Sequence, residues 1–366
     1  MKKALFVTFN NIFEENTGGN QGSLRNFKLL SKTYETDVYV IKSSKLCKLL
    51  SSFFSFYFPP LSYNNIKDIN KMMRLKKYDL FFLDSSLLGK LLKHIIKQSN
   101  TKTISFFHNV EYDFIKARFG KNAIKYPYLA LAYFNEKTAL RYSTITISLS
   151  TRDKKRLKEI YNYEPTYIMP VAFEDKLNDY NSKGETAITL SLQELKPYCL
   201  FVGSLSRSNF DGIKWFIDNI SPLLPKLNTV VVGKGFENHK KELSRDNVIV
   251  VGLVDEIAPY YLDADFVVSP LFSGAGMKIK VVEALMYGKA IIGTKESFEG
   301  FGTDSYPGAT IECNSKEEFS SKIEKLYLNN DFDVFNRPSR EMYLEKIFDG
   351  CLCKFISKYL KLIINH

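Results

Sequence analysis

The chain has 366 residues, of which 45% are hydrophobic and 25% are charged, and its formal net charge is +11. These proportions are typical of a globular protein and exclude a disordered or fibrous chain. A single hydrophobic core stops growing at roughly 250–300 residues, so the length predicts two domains. The sequence has no apolar run of about 18 residues, and no membrane-spanning helix is predicted.

The cysteine usage and the charge distribution indicate the cellular setting. Five cysteines form no CxxC pair and follow no signal peptide, which predicts reduced thiols in the cytoplasm. Lys and Arg counted against Asp and Glu give +15 for residues 1–170, which leaves 11 − 15 = −4 for residues 171–366. Anionic lipid or nucleic acid would complement the basic half, and a solvated basic surface is the alternative.

The first half of the chain alternates between predicted strands and helices. A buried strand at residues 3–9 precedes a glycine-rich loop at 17–22 and a helix at 23–32. Further strands are predicted at residues 37–41, 78–84, 103–107, 144–148 and 166–169. Strands joined by helices imply a parallel sheet with helices on both faces.

A second alternation follows a polar segment. The apolar pattern fails between residues 174 and 196, which we interpret as a linker between domains 1–173 and 197–338. Strands are then predicted at residues 198–202, 229–232, 248–251, 266–269 and 290–293, and helices at 211–219, 238–243, 257–262 and 278–287. Residues 339–366 are predicted to contain a terminal helix. The fold class is therefore α/β, with two Rossmann-like doubly wound domains.

The segment at residues 273–290 has the features of a phosphate site where a helix begins. Two glycines allow close backbone approach, and the helix N-terminus offers N–H groups to an anion. Lys278 and Lys280 add positive charge, and Glu283 can accept hydrogen bonds from ribose hydroxyls. A nucleotide diphosphate site is predicted, and an amphipathic helix behind a glycine turn is the alternative.

Two further loops follow predicted strands, at the edge where open parallel sheets bind ligands. One contains Gly18 and Gly19, and the other spans residues 204–209. The first lacks both the dinucleotide fingerprint and a Lys-Ser/Thr phosphate loop, so a plain strand-to-helix turn is equally expected.

Aromatic and basic residues occur together at residues 45–60. This combination suits a membrane interface, although the aromatic side chains could also pack against the first sheet. The aromatic residues are Phe53, Phe54, Phe56, Tyr57 and Phe58, and basic residues follow at Lys67, Lys71, Arg74, Lys76, Lys77, Lys154, Lys155, Arg156 and Lys158. Since the aromatics form one run and do not interleave with basic residues, a nucleic-acid partner is not expected.

Short motifs also follow one another in a fixed order along nearly the whole chain. They are Gly18-Gly19, His108-Asn109-Val110-Glu111, Ile147-Ser148, Met169-Pro170-Val171, Phe201-Val202-Gly203-Ser204-Leu205, Val232-Gly233-Lys234-Gly235, Gly252-Leu253-Val254-Asp255, Ala264-Asp265 and residues 273–288. Their order and spacing resemble the retaining glycosyltransferases of family 4. That resemblance implies the GT-B fold, in which two Rossmann-like domains face a cleft and the C-terminal helix packs back on the first domain.

The resemblance implies a donor site in the second domain. The second glutamate of the family's Glu-(seven residues)-Glu motif binds the donor ribose and matches Glu283, whereas the first falls on Ala275. The chain is similar to the subgroup with Ser-Gly-Ala-Gly-Met-Lys-x-Lys, in which backbone N–H groups contact the donor sugar or phosphate. In this chain those groups belong to Gly274, Ala275, Gly276 and Met277.

The remaining donor contacts implied by the resemblance are less well defined. The family's Arg-(four residues)-Lys pair is out of register, so Lys278 and Lys280 are the implied diphosphate ligands and Arg207 is a reserve. The other implied donor-binding positions lie at strand ends, and they are Gly18, Gly19, Gly203, Gly233, Leu253 and Val254.

The resemblance also implies the chemistry. His108 matches the active-site histidine that contacts the donor sugar, and weaker signals fall on Glu111 and Asn109. A UDP- or GDP-sugar is the implied donor, without metal or other cofactor, and a lipid-linked glycan or surface polysaccharide is the implied acceptor. The expected location is cytoplasmic, and the basic first half leaves open a peripheral position at the inner face of the cell membrane. The alternatives are a catalytically silent binding or scaffold subunit and a GT-B sugar-nucleotide 2-epimerase.

Overall fold

A computed structural model describes residues 2–13, 18–42, 56–171, 175–177, 191–274, 278–301, 306–328 and 336–345. The chain forms two compact units. The first comprises Met1–Val171 with Lys354–His366, and the second comprises Ala172–Cys353.

The first unit contains a six-stranded parallel sheet. Its strands are β1 (Lys3–Thr8), β2 (Glu35–Val40), β3 (Leu80–Leu83), β4 (Lys102–Phe107), β5 (Ile145–Ser148) and β6 (Tyr167–Ile168), in the order β2-β1-β3-β4-β5-β6. Its helices are α1 (Gly18–Ser31), α2 (Tyr63–Leu75), α3 (Gly89–Gln98), α4 (Glu111–Phe119), α5 (Lys125–Tyr142) and α6 (Thr151–Tyr161). The winding direction reverses between β1 and β3, which is where open parallel sheets bind ligands.

The second unit repeats this arrangement. Its parallel strands are β7 (Tyr198–Val202), β8 (Asn228–Val232), β9 (Val248–Gly252), β10 (Phe266–Ser269), β11 (Ile291–Gly293) and β12 (Thr310–Glu312), in the order β12-β11-β10-β7-β8-β9. Its helices are α7 (Arg207–Asn219), α8 (Lys240–Leu243), α9 (Ala258–Asp263), α10 (Ile279–Met286), α11 (Lys316–Leu328) and α12 (Arg337–Met342). Here the reversal falls between β7 and β10.

The central strands are apolar runs because helices cover the sheets. Every residue of β3, β7 and β10 is buried, as expected for parallel strands enclosed on both faces. In the second unit, Phe201, Val231 and Phe266 share one core with α7 side chains such as Phe216. The first unit has its own core around β1, β3 and α3. The predicted α/β fold with two parallel-sheet domains is confirmed.

Two predicted loops are helical where the sequence placed turns. Helix α1 begins at Gly18, so Gly18 and Gly19 of the predicted loop lie in its first turn. Helix α7 begins at Arg207 and not at residue 211, because the Ser206 hydroxyl caps it by accepting a hydrogen bond from the Asn209 amide, 3.2 Å away. Much of the predicted linker, residues 178–190, and most of the predicted terminal helix, residues 346–366, lie outside the described residues.

One glycine sets the distance between two helices of the first unit. A Cβ atom at Gly89, at the start of α3, would lie 2.0 Å from the backbone oxygen of Asn135 in α5. We therefore expect Gly89→Ala to lower the free energy of unfolding by about 3 kcal/mol, because two backbones must separate. Gly22→Ala is the matched control, since its Cβ would meet only His108 Cε1 at 3.5 Å. Chemical denaturation of both variants tests this, and equal stabilities would contradict it.

Candidate functional site

The ends of β7 and β10 place a buried amine at the reversal of the second sheet. Lys280 of α10 donates from Nζ to Asn209 Oδ1, 2.8 Å away, and its amine lies 3.9 Å from the centre of the Phe201 ring. Gly203 passes so close that a Cβ there would lie 3.1 Å from this Nζ and 2.8 Å from Asn209 Nδ2. The backbone at the end of β7 is therefore packed against the lysine amine.

The surroundings of Lys280 favour the neutral form of its amine. Burial, and then the nearby charge of Lys278, lowers the pKa of Lys280 to about 7. An anion bound beside it would favour the charged form and raise this pKa again. The amine is thus desolvated before any ligand arrives, which is the arrangement that makes an electrostatic contact strong.

Lys278 lies just before α10 and is also buried. Its Nζ donates to Glu296 Oε1, 3.1 Å away, and lies 3.3 Å from where a Cβ at Gly274 would be. Gly274 has φ +152°, in the region that favours glycine. Two of the predicted site residues, Lys278 and Gly274, therefore lie close together. Ala275, Gly276 and Met277 lie outside the described residues.

Glu283, one turn into α10, is a buried carboxyl. It accepts a hydrogen bond from the Tyr261 hydroxyl, 3.0 Å away, and the Tyr261 ring stacks on Tyr287. Burial raises the pKa of Glu283 to about 7, although the Tyr261 hydrogen bond and the charges of Lys176 and Lys280 act in the opposite direction. The second carboxylate oxygen and a half-protonated state suit it to hydrogen bonding with hydroxyl groups.

Glycine loops from β8 and β9 approach the same sheet edge. Gly233 has φ +147°, and a Cβ there would lie 1.9 Å from the backbone oxygen of Gly203. Glu237 joins the two loops by accepting from the amides of Gly235, at 2.8 Å, and Leu253, at 3.2 Å. A hydrogen bond from the backbone amide of Glu237 itself, and then those from Gly235 and Leu253, lower the pKa of the Glu237 carboxyl. Leu253 and Val254 are thereby held beside β9.

Arg207 is not brought to Lys280. Its side chain is 84% exposed, and its Nε lies 3.5 Å from Asp211 Oδ2 in the next turn of α7. Asn209, two residues later, makes the contact with Lys280. The sequence placed Asn209 in the loop at residues 204–209 and Phe201 in a short motif, but it assigned neither of them a contact with Lys280. Glu296 lies outside every motif.

The first unit presents a separate polar cluster at its own sheet reversal. His108 follows β4, and its Nε2 lies 3.0 Å from Oδ1 of the buried Asp84, which follows β3. Asp84 also accepts from Asn26 Nδ2, at 2.7 Å, and from Thr8 Oγ1, at 3.1 Å. Because a carboxylate can only accept, this network assigns the proton of His108 to Nε2.

Helix α1 places Gly19, a predicted site residue, and Gly22 near this cluster. Gly22 would place a Cβ 3.5 Å from His108 Cε1, and Gly19 would place one 3.3 Å from Asn10 Oδ1. Asn10 in turn donates to Ser23 Oγ, 2.8 Å away. The first turns of α1 therefore pack closely against the polar cluster, while the surroundings of Gly18 lie outside what the structure describes.

Glu111 and Asn109 belong to the start of α4. Two backbone N–H groups there, those of Glu111 and Tyr112, donate to the buried carboxylate of Glu136 at 3.0 Å each. Burial, and then the charge of Glu136, raises the pKa of Glu111 to about 8. Glu136 therefore occupies this helix N-terminus, and Asn109 Nδ2 lies 3.5 Å from Glu111 Oε1.

The described residues contain neither a metal site nor a membrane-spanning helix. Among those residues, no group of three or more His, Cys, Asp or Glu side chains is placed to hold a metal ion. None of the helices described has the length and apolar character needed to cross a membrane.

Comparisons with known proteins point to one fold and one domain type. Residues 196–329 match the family model described as "Glycosyl transferases group 1". A Klebsiella pneumoniae protein, described as an uncharacterized 44.6 kDa protein in the cps region, is 23% identical over 351 residues, covering 83% of this chain and 86% of that protein.

Solved structures resemble the whole chain. A sucrose-phosphate synthase from Thermosynechococcus elongatus superposes with a TM-score of 0.75 at 15% identity, covering 100% of both chains. HepE of Anabaena, solved in complex with UDP-glucose, gives a TM-score of 0.67 at 14% identity, again covering 100% of both.

The buried Lys280 makes a stability prediction that needs no ligand. The folded pKa of about 7 lies below the ordinary value of 10.5, so the unfolded state takes up a proton first as pH falls. Lys280 therefore costs stability below pH 10.5, and the cost is greatest near and below pH 7. We expect Lys280→Met to stabilise the free protein by about 1–4 kcal/mol near pH 7, with a smaller gain as pH rises toward 10.

Denaturant titrations at several pH values measure this effect. Lys214→Met is the control, because Lys214 is a solvent-exposed partner of Asp218 in α7. A destabilised Lys280→Met at pH 7 would contradict the desolvation argument.

The two parallel sheets, their reversal points and the whole-chain superpositions thus identify the GT-B fold, and residues 196–329 match the group 1 glycosyltransferase family model.

Proposed function

We propose that this protein is a retaining glycosyltransferase that moves a sugar from a nucleotide diphosphate donor, a UDP- or GDP-sugar, to an acceptor hydroxyl. The observation that carries the proposal is the desolvated Lys280 amine held between Gly203, Asn209 and Phe201 at the reversal of the second sheet. It lies inside the segment that matches the group 1 family model. The solved relative HepE was crystallised with UDP-glucose, which supports a sugar nucleotide as donor.

The donor is held through its diphosphate and its ribose. Lys280 and Lys278 bind the diphosphate, and the backbone amides at residues 274–277 contact the donor sugar or phosphate. Glu283, fixed by Tyr261, accepts hydrogen bonds from the ribose hydroxyls. The glycine loops after β8 and β9 supply backbone contacts to the base. Arg207 has no part in this arrangement, because it is exposed and paired with Asp211.

The reaction exchanges one bond to the anomeric carbon for another. The bond from that carbon to the leaving diphosphate oxygen breaks while a bond to the acceptor oxygen forms on the same face. The acceptor hydroxyl gives its proton to the leaving phosphate oxygen, so no second carboxylate is needed as nucleophile. Lys280 and Lys278 stabilise the negative charge that develops on the diphosphate, and the proposed reaction requires no metal.

His108 is the proposed catalytic residue of the first unit. It contacts the transferred sugar near the reacting carbon, and Asp84 is a positioning residue that holds the ring through Nε2. With the proton of Nε2 directed at Asp84, Nδ1 remains as the acceptor of this histidine.

The acceptor is proposed to be a surface polysaccharide or a lipid-linked glycan. The relative from Klebsiella pneumoniae lies in the cps region, which supports a role in making a surface glycan. A cytoplasmic location follows from a donor of this class and is part of the same proposal.

Nucleotide binding tests the donor site. In thermal unfolding without added metal, we expect UDP or GDP to raise the melting temperature, since a ligand that binds only the folded state stabilises it by mass action. ADP and CMP serve as comparison nucleotides. Glu283→Gln retains a similar shape and should weaken the UDP or GDP shift, with about tenfold lower affinity by calorimetry. No shift with any nucleotide at millimolar concentration would favour a silent binding subunit.

Turnover tests the first-unit cluster. We expect His108→Ala to lower kcat by about a hundredfold while nucleotide affinity is unchanged, because only a contact to the reacting sugar is lost. Asp84→Asn should give a smaller loss. His94→Ala is the control, since His94 is a half-buried histidine of α3 bonded to Asn70 and Gln98. Wild-type turnover in His108→Ala would remove His108 from the mechanism.

A further inference from the structure

Exposed aromatic side chains and basic side chains share one face of the first unit. Tyr126 and Phe134 of α5 are 64% and 45% exposed, and they lie on the same stripe of the helix as Lys137 and Arg141, at spacings of eight, three and four residues. Together with two neighbouring residues they form what we call the α3–α5 surface: Phe56, Lys93, Tyr126, Phe134, Lys137 and Arg141.

Basic groups on and beside this surface lie over aromatic rings. Lys93 Nζ and Arg141 Cζ lie 5.5 and 5.4 Å from the centre of the Tyr142 ring. Lys90 Nζ lies 5.5 Å from the centre of the Phe56 ring, which packs edge-on against Phe134 at 5.5 Å. Aromatic rings flanked by amines suit the boundary between lipid headgroups and acyl chains.

The surface is one structural piece. Asn135, buried beneath it, donates from Nδ2 to the backbone oxygens of Phe56 and Leu131, at 3.0 and 2.8 Å. Its Oδ1 accepts from the amide of Lys90 at 3.0 Å. Because the segment at Phe56, α3 and α5 are tied to one side chain, the exposed rings keep their spacing without a bound partner.

The charge of this surface is of one sign. Helix α3 has three lysines and no acidic residue, and the single acidic residue of α5, Glu136, is buried and bonded to Tyr161 and to backbone amides. By contrast, three basic residues of α6 are paired with acids: Arg156 with Asp113, and Lys154 and Lys158 with Glu164. The sequence offered two interpretations of the aromatic run at residues 53–58, a lipid face shared with basic residues at 67–77 and 154–158, or packing on the first sheet. Phe53 and Phe54 of that run lie outside the described residues.

From these contacts we infer that the α3–α5 surface docks on an anionic phospholipid bilayer, with Tyr126 and Phe134 at the headgroup level and the surrounding amines against lipid phosphates. A second copy of the same face would repel it, since both are basic. Residues 346–366 of this chain carry four lysines and one aspartate, so their charge also disfavours them as a cover. The inference does not depend on transferase activity.

Vesicle sedimentation of the full chain tests this surface. Sucrose-loaded vesicles of phosphatidylcholine with about one-third phosphatidylglycerol should bind the protein at least about tenfold more strongly than pure phosphatidylcholine, and added salt should weaken the binding. Lys137→Glu with Arg141→Glu should lose at least about tenfold. Tyr126→Ser with Phe134→Ser leaves the charge unchanged and should lose about as much.

The control is Lys322→Glu with Lys325→Glu on α11 of the second unit, which changes the net charge equally and should bind within about twofold of the wild type. The six substituted side chains in these three double variants are at least partly solvent-exposed. Thermal unfolding checks that each variant is folded. Equal binding to both kinds of vesicle, or equal losses in the control and the α5 variants, would overturn the inference.

Discussion

The candidate donor site depends on the close packing of a backbone against a buried amine. The end of β7 can pass Lys280 only because position 203 carries no side chain, and Asn209 then fixes the amine from the start of α7. Three elements meet at this atom: the end of β7, the start of α7 and the start of α10. A larger residue at 203 would displace β7, α7 or α10. The positions of Lys278 and Glu283 relative to β7 would then change as well.

The first unit solves a related problem with a carboxylate. Asp84 receives hydrogen bonds from β1 through Thr8, from α1 through Asn26 and from the turn after β4 through His108. Burying a carboxylate lowers the stability of the folded protein unless its oxygens accept hydrogen bonds. The three donors therefore stabilise Asp84 in its buried position, and Asp84 in turn fixes their orientation. In each unit the polar group lies where the winding of the sheet reverses, because there the loops diverge and leave room for side chains.

The sequence predicted the alternation of strands and helices well, because parallel strands are apolar runs and their helices are amphipathic. It also placed Lys278, Lys280 and Glu283 in one helix at residues 278–287, and His108 directly after a strand. It could not predict that α1 begins at Gly18, since glycine signals a loop more often than a first turn. It missed Asn209 and Asp84 for another reason: their partners are 71 and 24 residues away, and such contacts leave no local pattern.

The charges of the two units differ in how they are used. Across α3 and α5 the amines are exposed and lie over aromatic rings, so their field reaches solvent and acts on a surface. At the candidate donor site Lys278 and Lys280 are buried, and burial brings the pKa values of Lys280 and Glu283 to about 7. A diphosphate bound beside Lys280 would favour protonation of both groups. In the proposed complex the charge of Lys280 is therefore completed by the anion that it binds, whereas Lys93 and Arg141 present their charge directly to solvent.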